Sequence, residues 1–328
     1  DPSRLMRRVP GGNFNSNGPL AGQIQYRGMF GPRVSTRING MYINSGGPNL
    51  MDPPTHYAPR SQVASFEVHR GLSPVSAGPE AIGGTVNIQT RMSRFTNSDT
   101  FSTQGSVQGG FQSVNDGVNG GAMLGMANNT HRFHFIGGGA TSNDTRFDSS
   151  KSLKIRSTEQ DRSYAGIGYG FRQKGHELSL DYHNFDTDDV GNPSLPQDTG
   201  FLKTDLFNST YNGELGAIDI KGRLSYSDIE HGMNNFRLRT APNTFGPPLN
   251  DDQTNVPPPF QGRDRRLVRA ESDGLGGELS ATAPVPGGHF TWGSDFHLAE
   301  HNVRVFDPDS MFFAESFNDI QRDRYGVF

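Results

Sequence analysis

Beyond residue 100 the sequence consists of segments of about ten residues in which apolar and polar side chains alternate. The clearest is residues 218–226, where Ile218, Ile220 and Leu224 share one face and Lys221 lies on the other. This length and period are typical of the tilted strands of outer-membrane β-barrels. A run of about eighteen apolar residues, as a membrane-spanning helix needs, is absent from the sequence. The pattern predicts a mainly β, antiparallel fold.

The connections between these segments alternate in length. Short turns are expected at 128–130, 173–175, 212–215 and 285–288, and long polar stretches at 141–161, 186–200, 229–267 and 306–323. Outer-membrane barrels have short periplasmic turns and longer external loops. Counting in this way from Phe101 predicts roughly ten strands, the last beginning at Tyr325.

Composition narrows the function. The 328 residues include no cysteine, which removes disulfides and thiolate chemistry, and the net charge of -4 gives no reason to expect nucleic acid. A mean hydropathy of -0.64 is compatible with membrane strands, because these average out as polar. No Ser-His-Asp order, phosphate loop, nucleotide fingerprint or paired catalytic carboxylates stand out, so we expect no enzyme.

The N-terminal part contains a distinctive stretch at residues 65–90. Strands are expected at 66–68 and 85–88, joined by a hinge in which Gly71 and Gly78 accept unusual backbone angles and prolines block a helix. The stretch includes the motifs Phe66-Glu67-Val68-x-Arg70-Gly71 and Ala81-Ile82-Gly83-Gly84-x-Val86-Asn87-Ile88. Upstream lie Gln23-Ile24-Gln25-Tyr26-Arg27-Gly28 and Ile38-Asn39-Gly40-Met41-Tyr42-Ile43.

These motifs, in this order, resemble the plug domain of TonB-dependent outer-membrane receptors. The resemblance implies a plug domain at 1–91, a linker at 92–100 and the first part of a transmembrane antiparallel β-barrel at 101–328. The family's barrel has 22 strands, so the chain is interpreted as a fragment. The resemblance also implies the bacterial outer membrane, contact with its lipid, and TonB as a partner engaged through a missing N-terminal segment.

Within the plug the sequence predicts several local structures. A short helix is expected near residues 1–9, stopped by Pro10 and Gly11, and strands at 23–26 and 37–43. Residues 44–56 are rich in Gly, Asn and Pro, and we expect a non-helical, exposed loop there.

Candidate metal ligands lie in both parts of the chain. His231 and Met233 are two residues apart near the predicted external end of a strand, and imidazole with thioether suits copper, particularly Cu(I). Alone, such a triplet is more often a loop histidine beside a packing methionine. Residues 47–54 resemble the plug loop of the family's copper-receptor branch, whose site joins Cys-x-x-x-Met to a barrel His-x-Met. That resemblance assigns Met51, His231 and Met233 as ligands and puts Gly47 at the cysteine position.

The missing thiolate predicts weaker copper binding by a three-ligand site. His56 is a possible substitute ligand, although a solvated loop histidine is the simpler interpretation. A ferric siderophore or another metal chelate is the alternative cargo. Two other classes are a passive surface barrel, such as a porin or adhesin, and a soluble β-rich enzyme. The plug-like N-terminal residues argue against the first and the lack of a catalytic constellation against the second.

Overall fold

The computed structural model describes residues 1–47, 50–71, 81–148, 153–241, 265–308 and 313–328. Within these ranges the chain is mainly β, as the alternation predicted. None of the helices there is long and apolar enough to cross a membrane. Gly78 of the predicted hinge lies outside the described residues. We call residues 1–91 the plug region and the large sheet that follows it the wall.

The plug region combines two small sheets with short 3₁₀ helices. The helices η1 to η4 are Pro2–Arg8, Gly31–Arg33, Pro54–Tyr57 and Arg60–Gln62. The strands β1 to β7 are Gly12–Ser16, Gly22–Tyr26, Met29–Phe30, Ser35–Ile38, Met41–Tyr42, Val63–Arg70 and Gly84–Thr90. One sheet has the order β1-β2-β3 and the other β5-β4-β7-β6, with β4 parallel to β7.

Two predictions for the plug region are wrong. Residues 37–43 form a hairpin instead of one strand, because Asn39 and Gly40 adopt positive φ angles of 51° and 79° and reverse the chain. Residues 44–56 are not an exposed, non-helical loop, since η3 begins at Pro54 and Asp52 and His56 are buried. The sequence suggested exposure because the segment is polar, but the buried Asp52 carboxylate accepts hydrogen bonds from Ser45, Gly46 and Tyr57 within the protein.

The wall is one antiparallel sheet of ten strands in the described residues, which confirms the count of roughly ten. Its strands are β8 Ser102–Gln112, β9 Gly117–Ala127, β10 His131–Ser142, β13 Gln160–Gln173, β14 His176–Val190, β15 Asp198–Leu215, β16 Ile218–Asn234, β17 Leu267–Val285, β18 Gly288–Phe306 and β19 Phe313–Val327. Each strand pairs with its neighbour in this order. A separate small hairpin, β11 Thr145–Arg146 with β12 Lys154–Ile155, lies in one long connection.

At one end of the wall the strands are joined by short turns, and we call this the short-turn end. At the other end the connections from β10 onward are longer, and we call this the long-loop end. Two expected positions are wrong. The turn after β15 lies at 216–217 instead of 212–215, and β19 begins at Phe313 instead of Tyr325. In β19, Asp319 has a φ of 49° and the register with β18 shifts between His301 and Arg304. These irregularities break the alternation that marks a strand in the sequence.

The two faces of the wall differ in chemistry. On β16, Leu224 and Tyr226 are exposed on the outer face, whereas Ser225, Ile229 and His231 are buried on the inner face. The outer apolar band ends toward the long-loop end in a row of directly opposed carboxylates. The row consists of Asp205, Asp228, Asp273 and Glu300 on four adjacent strands. Opposed like charges repel, so this row belongs in water and marks the edge of the apolar band.

A single hydrophobic cluster joins the plug region to the wall. Tyr57, Ile38 and Ile88 of the plug region pack in the same cluster as Leu206 and Ile229 of the wall. Polar contacts cross the same boundary. They include Ser61 Oγ to the Tyr164 hydroxyl at 2.6 Å, Arg162 Nη1 donating to the Leu20 carbonyl at 2.7 Å and Asn208 Nδ2 donating to the Asn39 carbonyl at 3.3 Å.

The segment between β7 and β8 is fastened to the short-turn end of the wall. The ring of Phe95 contacts two guanidinium groups, with its centre 4.6 Å from that of Arg172 and 5.3 Å from that of Arg132. Arg172 also donates to the Thr96 carbonyl at 2.9 Å, and Arg132 donates to the Ser93 carbonyl at 2.9 Å. We call these residues the linker clasp. It holds the chain in place where the plug region continues into the wall.

Phe95→Ala should loosen the linker clasp. Two cation–π contacts contribute about 0.5–1 kcal/mol each, so local opening should increase about 5- to 30-fold. The measurement is the rate of trypsin cleavage after the exposed Arg94, followed by mass spectrometry of the folded protein. Phe101→Ala is the matched control, because Phe101 is exposed and lies outside the clasp. Equal cleavage rates in the two variants would contradict the clasp.

Candidate functional site

The loop between β5 and η3 is organised around the carboxylate of Asp52, which is fully buried. The Ser45 hydroxyl donates to Oδ1, while the Gly46 N–H at 2.7 Å and the Tyr57 hydroxyl at 3.2 Å donate to Oδ2. Burial acts to raise the pKa of Asp52, but His231, the Ser45 hydroxyl and the Gly46 N–H outweigh it and hold that pKa below its usual value. The loop therefore folds around a fixed negative charge.

The same loop lies directly on β16 of the wall. His231 is 1% exposed, and its Nδ1 lies 3.6 Å from Asp52 Oδ1. The lack of a side chain at Gly46 makes this close approach possible. A Cβ at Gly46 would lie 2.9 Å from Ile229 Cγ2, whereas a Cβ at Gly47 would lie 3.6 Å from His231 Nδ1, an ordinary contact. Position 47 therefore faces the imidazole and has room for a side chain.

The structure puts the three predicted ligands on adjoining elements. Met51 precedes Asp52 in the loop, and Met233 follows His231 on the inner face of β16; both methionines are buried. No three His, Asp or Glu side chains in the described part of the chain form a group that could hold a metal ion. A metal here would need the thioether sulfurs of Met51 and Met233. The ligand assignment itself stays a prediction.

His56 is not the solvated histidine that the sequence suggested. It is 3% exposed, and its ring meets those of Tyr57 at 5.0 Å and Phe185 at 6.0 Å. Neither ring nitrogen has a hydrogen-bond partner among the described residues. Burial, with the positive charge of Arg162, lowers the pKa of His56 to about 3, so the ring is neutral at physiological pH.

A cavity of about 240 Å³ adjoins the loop and extends to His301 of β18 and Arg322 of β19. Its lining includes Ser45, Gly47, Tyr42, His301 and Arg322. Sequence analysis missed both Asp52 and His301. Asp52 carried no sequence signal beyond its position after Met51, and His301 lies in a strand whose partner, β19, was placed too late.

The comparisons with known proteins agree with this architecture. Residues 1–85 match the family described as the TonB-dependent receptor plug domain. A comparison with curated proteins gave no match.

Solved structures match the whole architecture. The copper transporter OprC is 21% identical, with 100% of this chain and 50% of that chain covered and a TM-score of 0.79. The siderophore receptor PirA from Acinetobacter baumannii is 16% identical, with 93% and 46% covered and a TM-score of 0.58. A mutant of the ferric enterobactin receptor PfeA from Pseudomonas aeruginosa is 16% identical, with 94% and 48% covered and a TM-score of 0.60.

These identities establish the fold alone. The chain spans about half the length of the solved structures it matches. The matched proteins are transporters and receptors, and none of them is an enzyme. Residues 1–85 therefore match a TonB-dependent receptor plug domain, and the plug region with the ten wall strands shares the fold of the solved transporters and receptors.

Proposed function

We propose that this protein is a bacterial outer-membrane receptor that takes up copper through a site between plug and wall. One observation carries the proposal: the plug loop containing Met51 packs against the wall strand containing His231 and Met233, with Gly47 facing the imidazole. The fold shared with a copper transporter supports the same cargo. Copper would bind near the long-loop end and leave when TonB acts on the plug.

The donor atoms of Met51, His231 and Met233 favour Cu(I). Thioether sulfur and imidazole prefer Cu(I), and neither is a good sole ligand for a hard cation. Gly47 leaves the set without the anionic thiolate of the copper-receptor branch, so the affinity should be lower than that of a four-ligand site. The outer apolar band, ending at the carboxylate row, supports placement in the outer membrane with lipid around the wall.

A metal chelate is the second candidate cargo. Two of the matched structures are described as siderophore or ferric enterobactin receptors. The cavity beside the loop contains His301 and Arg322, and a guanidinium group favours an anionic chelate over a bare cation. Competition between copper and ferric chelates for the purified protein separates the two cargoes.

Replacing both His231 and Met233 by Ala should remove bound copper, because two of the three soft donors are lost. The measurement is metal per protein after growth with copper, iron and zinc supplied together. His289→Ala, which removes an exposed histidine at the short-turn end, is the control and should leave the copper content unchanged. Unchanged stoichiometry in the double variant would end the ligand assignment.

Gly47→Cys should tighten Cu(I) binding by about tenfold or more, equivalent to about 1.4 kcal/mol, because it adds a thiolate next to the imidazole ring of His231. The new Cβ meets only an ordinary contact, so the fold should be retained. Gly46→Cys is the matched control: its Cβ would press on Ile229, so it should gain no affinity and lose stability. Competition with a chromogenic Cu(I) chelator measures both variants; equal affinities would refute the site geometry.

We assign His56 to packing instead of ligation, because its ring lies between Tyr57 and Phe185. His56→Phe should therefore keep its copper and gain stability in acid. Since the folded-state pKa is about 3, the unfolded chain binds a proton below pH 6.5 that the folded chain does not. The wild type should thus lose about 1.4 kcal/mol per pH unit below 6.5 relative to the variant.

Thermal unfolding at pH 7.5 and pH 5 tests the assignment. The stability difference between His56→Phe and wild type should grow by about 2 kcal/mol between these values. The exposed His289→Phe should show no such growth. Loss of copper from His56→Phe would instead make His56 a ligand.

A further inference from the structure

Two buried histidine–aspartate pairs occur in the described part of the chain, and they differ in what they connect. His134 Nε2 and Asp181 Oδ1 lie 3.2 Å apart, and both belong to the wall. His231 Nδ1 and Asp52 Oδ1 lie 3.6 Å apart, and this pair joins the wall to the plug loop. A pair that joins the plug region to the wall would break if the two separated, whereas the pair within the wall would not.

We propose that Asp52 is a positioning residue: it holds the proton of His231 on Nδ1 and leaves the lone pair of Nε2 for a metal ion. The inference rests on the proposed function. It adds a residue outside the ligand set and makes metal affinity depend on where the plug loop lies.

The carboxylate is held rigidly by its own loop. Ser45, Gly46 and Tyr57 supply three donors, all from the plug region, and they occupy both oxygens. Oδ1 accepts only the Ser45 hydroxyl among these, so it retains acceptor capacity toward the imidazole. The aspartate is therefore fixed by the plug alone and does not depend on His231 for its position.

The imidazole has no competing partner among the described residues. Neither Nδ1 nor Nε2 of His231 makes a hydrogen bond there, and Asp52 is the carboxylate at ion-pair distance. A metal-binding histidine almost always donates its other N–H to a carboxylate, carbonyl or water, which fixes the tautomer and raises ligand basicity. The pair at 3.6 Å is slightly longer than a hydrogen bond, and a small rotation of the ring closes it with or without metal.

Release of the metal would follow because Asp52 belongs to the plug loop and His231 to the wall. Displacement of the plug loop removes the carboxylate from His231, while the imidazole stays on β16. The ring then loses its fixed tautomer, and its affinity for the metal falls. The movement that opens a path past the plug also weakens the hold on the cargo.

The tautomer can be measured without any metal. In metal-free protein labelled with ¹⁵N-histidine, the ring nitrogen shifts of His231, assigned with His231→Ala, should show the Nδ1–H form. Asp52→Asn should convert the ring to the Nε2–H form, because the amide donates to Nδ1. Asp52→Glu should retain Nδ1–H. Asp181→Asn, in the wall pair, is the matched control and should leave His231 unchanged.

Metal binding gives the second readout. Asp52→Asn should lower copper affinity about 10- to 100-fold, and Asp52→Glu should restore part of the loss. Asp181→Asn should bind copper as the wild type does. An unchanged His231 tautomer in Asp52→Asn overturns the inference, and so does a changed tautomer with unchanged affinity.

The outcomes also separate this inference from the proposed function. If the His231→Ala, Met233→Ala variant keeps its copper, the proposed function fails whatever the tautomer does. If that variant loses copper while Asp52→Asn keeps full affinity, the function stands and the positioning role is wrong. Asp52→Asn preserves the shape and one acceptor oxygen, and an unchanged unfolding temperature would show that it folds.

Discussion

The inner face of the wall is buried because the plug region lies against it, and the remaining structure depends on that contact. Each wall strand alternates between an outer and an inner environment, so its inner residues need a partner that the sheet itself does not provide. Tyr57 and Ile38 of the plug region enter one hydrophobic cluster with Leu206 and Ile229 of the wall. The candidate site lies at the edge of this cluster, where polar groups replace apolar ones and both parts contribute side chains.

Much of the wall follows from the sequence alone. Period-two alternation is a local property, so the strand count and several short turns were predictable from nearest neighbours in the chain. Hydrophobic alternation did not show two other features. The hairpin at 37–43 has a local signal, the turn pair Asn39-Gly40 with positive φ angles, which lies outside the apolar pattern. The start of β19 depends on pairing with β18, a contact that the pattern of β19 alone does not show.

The candidate site also contains residues that could be named from the sequence and residues that only the structure identifies. Resemblance to known receptors was enough to name Met51, His231 and Met233, and the structure puts their elements side by side. The resemblance did not point to Asp52, whose carboxylate is buried with three hydrogen-bond donors from residues 45, 46 and 57, or to the burial of His56. Polar residues in a Gly- and Pro-rich segment suggest solvent exposure, and only the folded structure shows that hydrogen bonds within the loop satisfy the Asp52 carboxylate and that aromatic rings cover His56.

The linker clasp has a mechanical consequence. Phe95 fixes the chain at the short-turn end of the wall, whereas the Asp52 loop contacts β16 close to the long-loop end. If the plug tilts about this anchored point, displacement increases with distance from the pivot, as along a lever arm. A small rotation would then separate the outer contacts by more than it strains the anchor. Repeated tilting would then open and close the contacts near the long-loop end while Phe95 stays bound at the short-turn end.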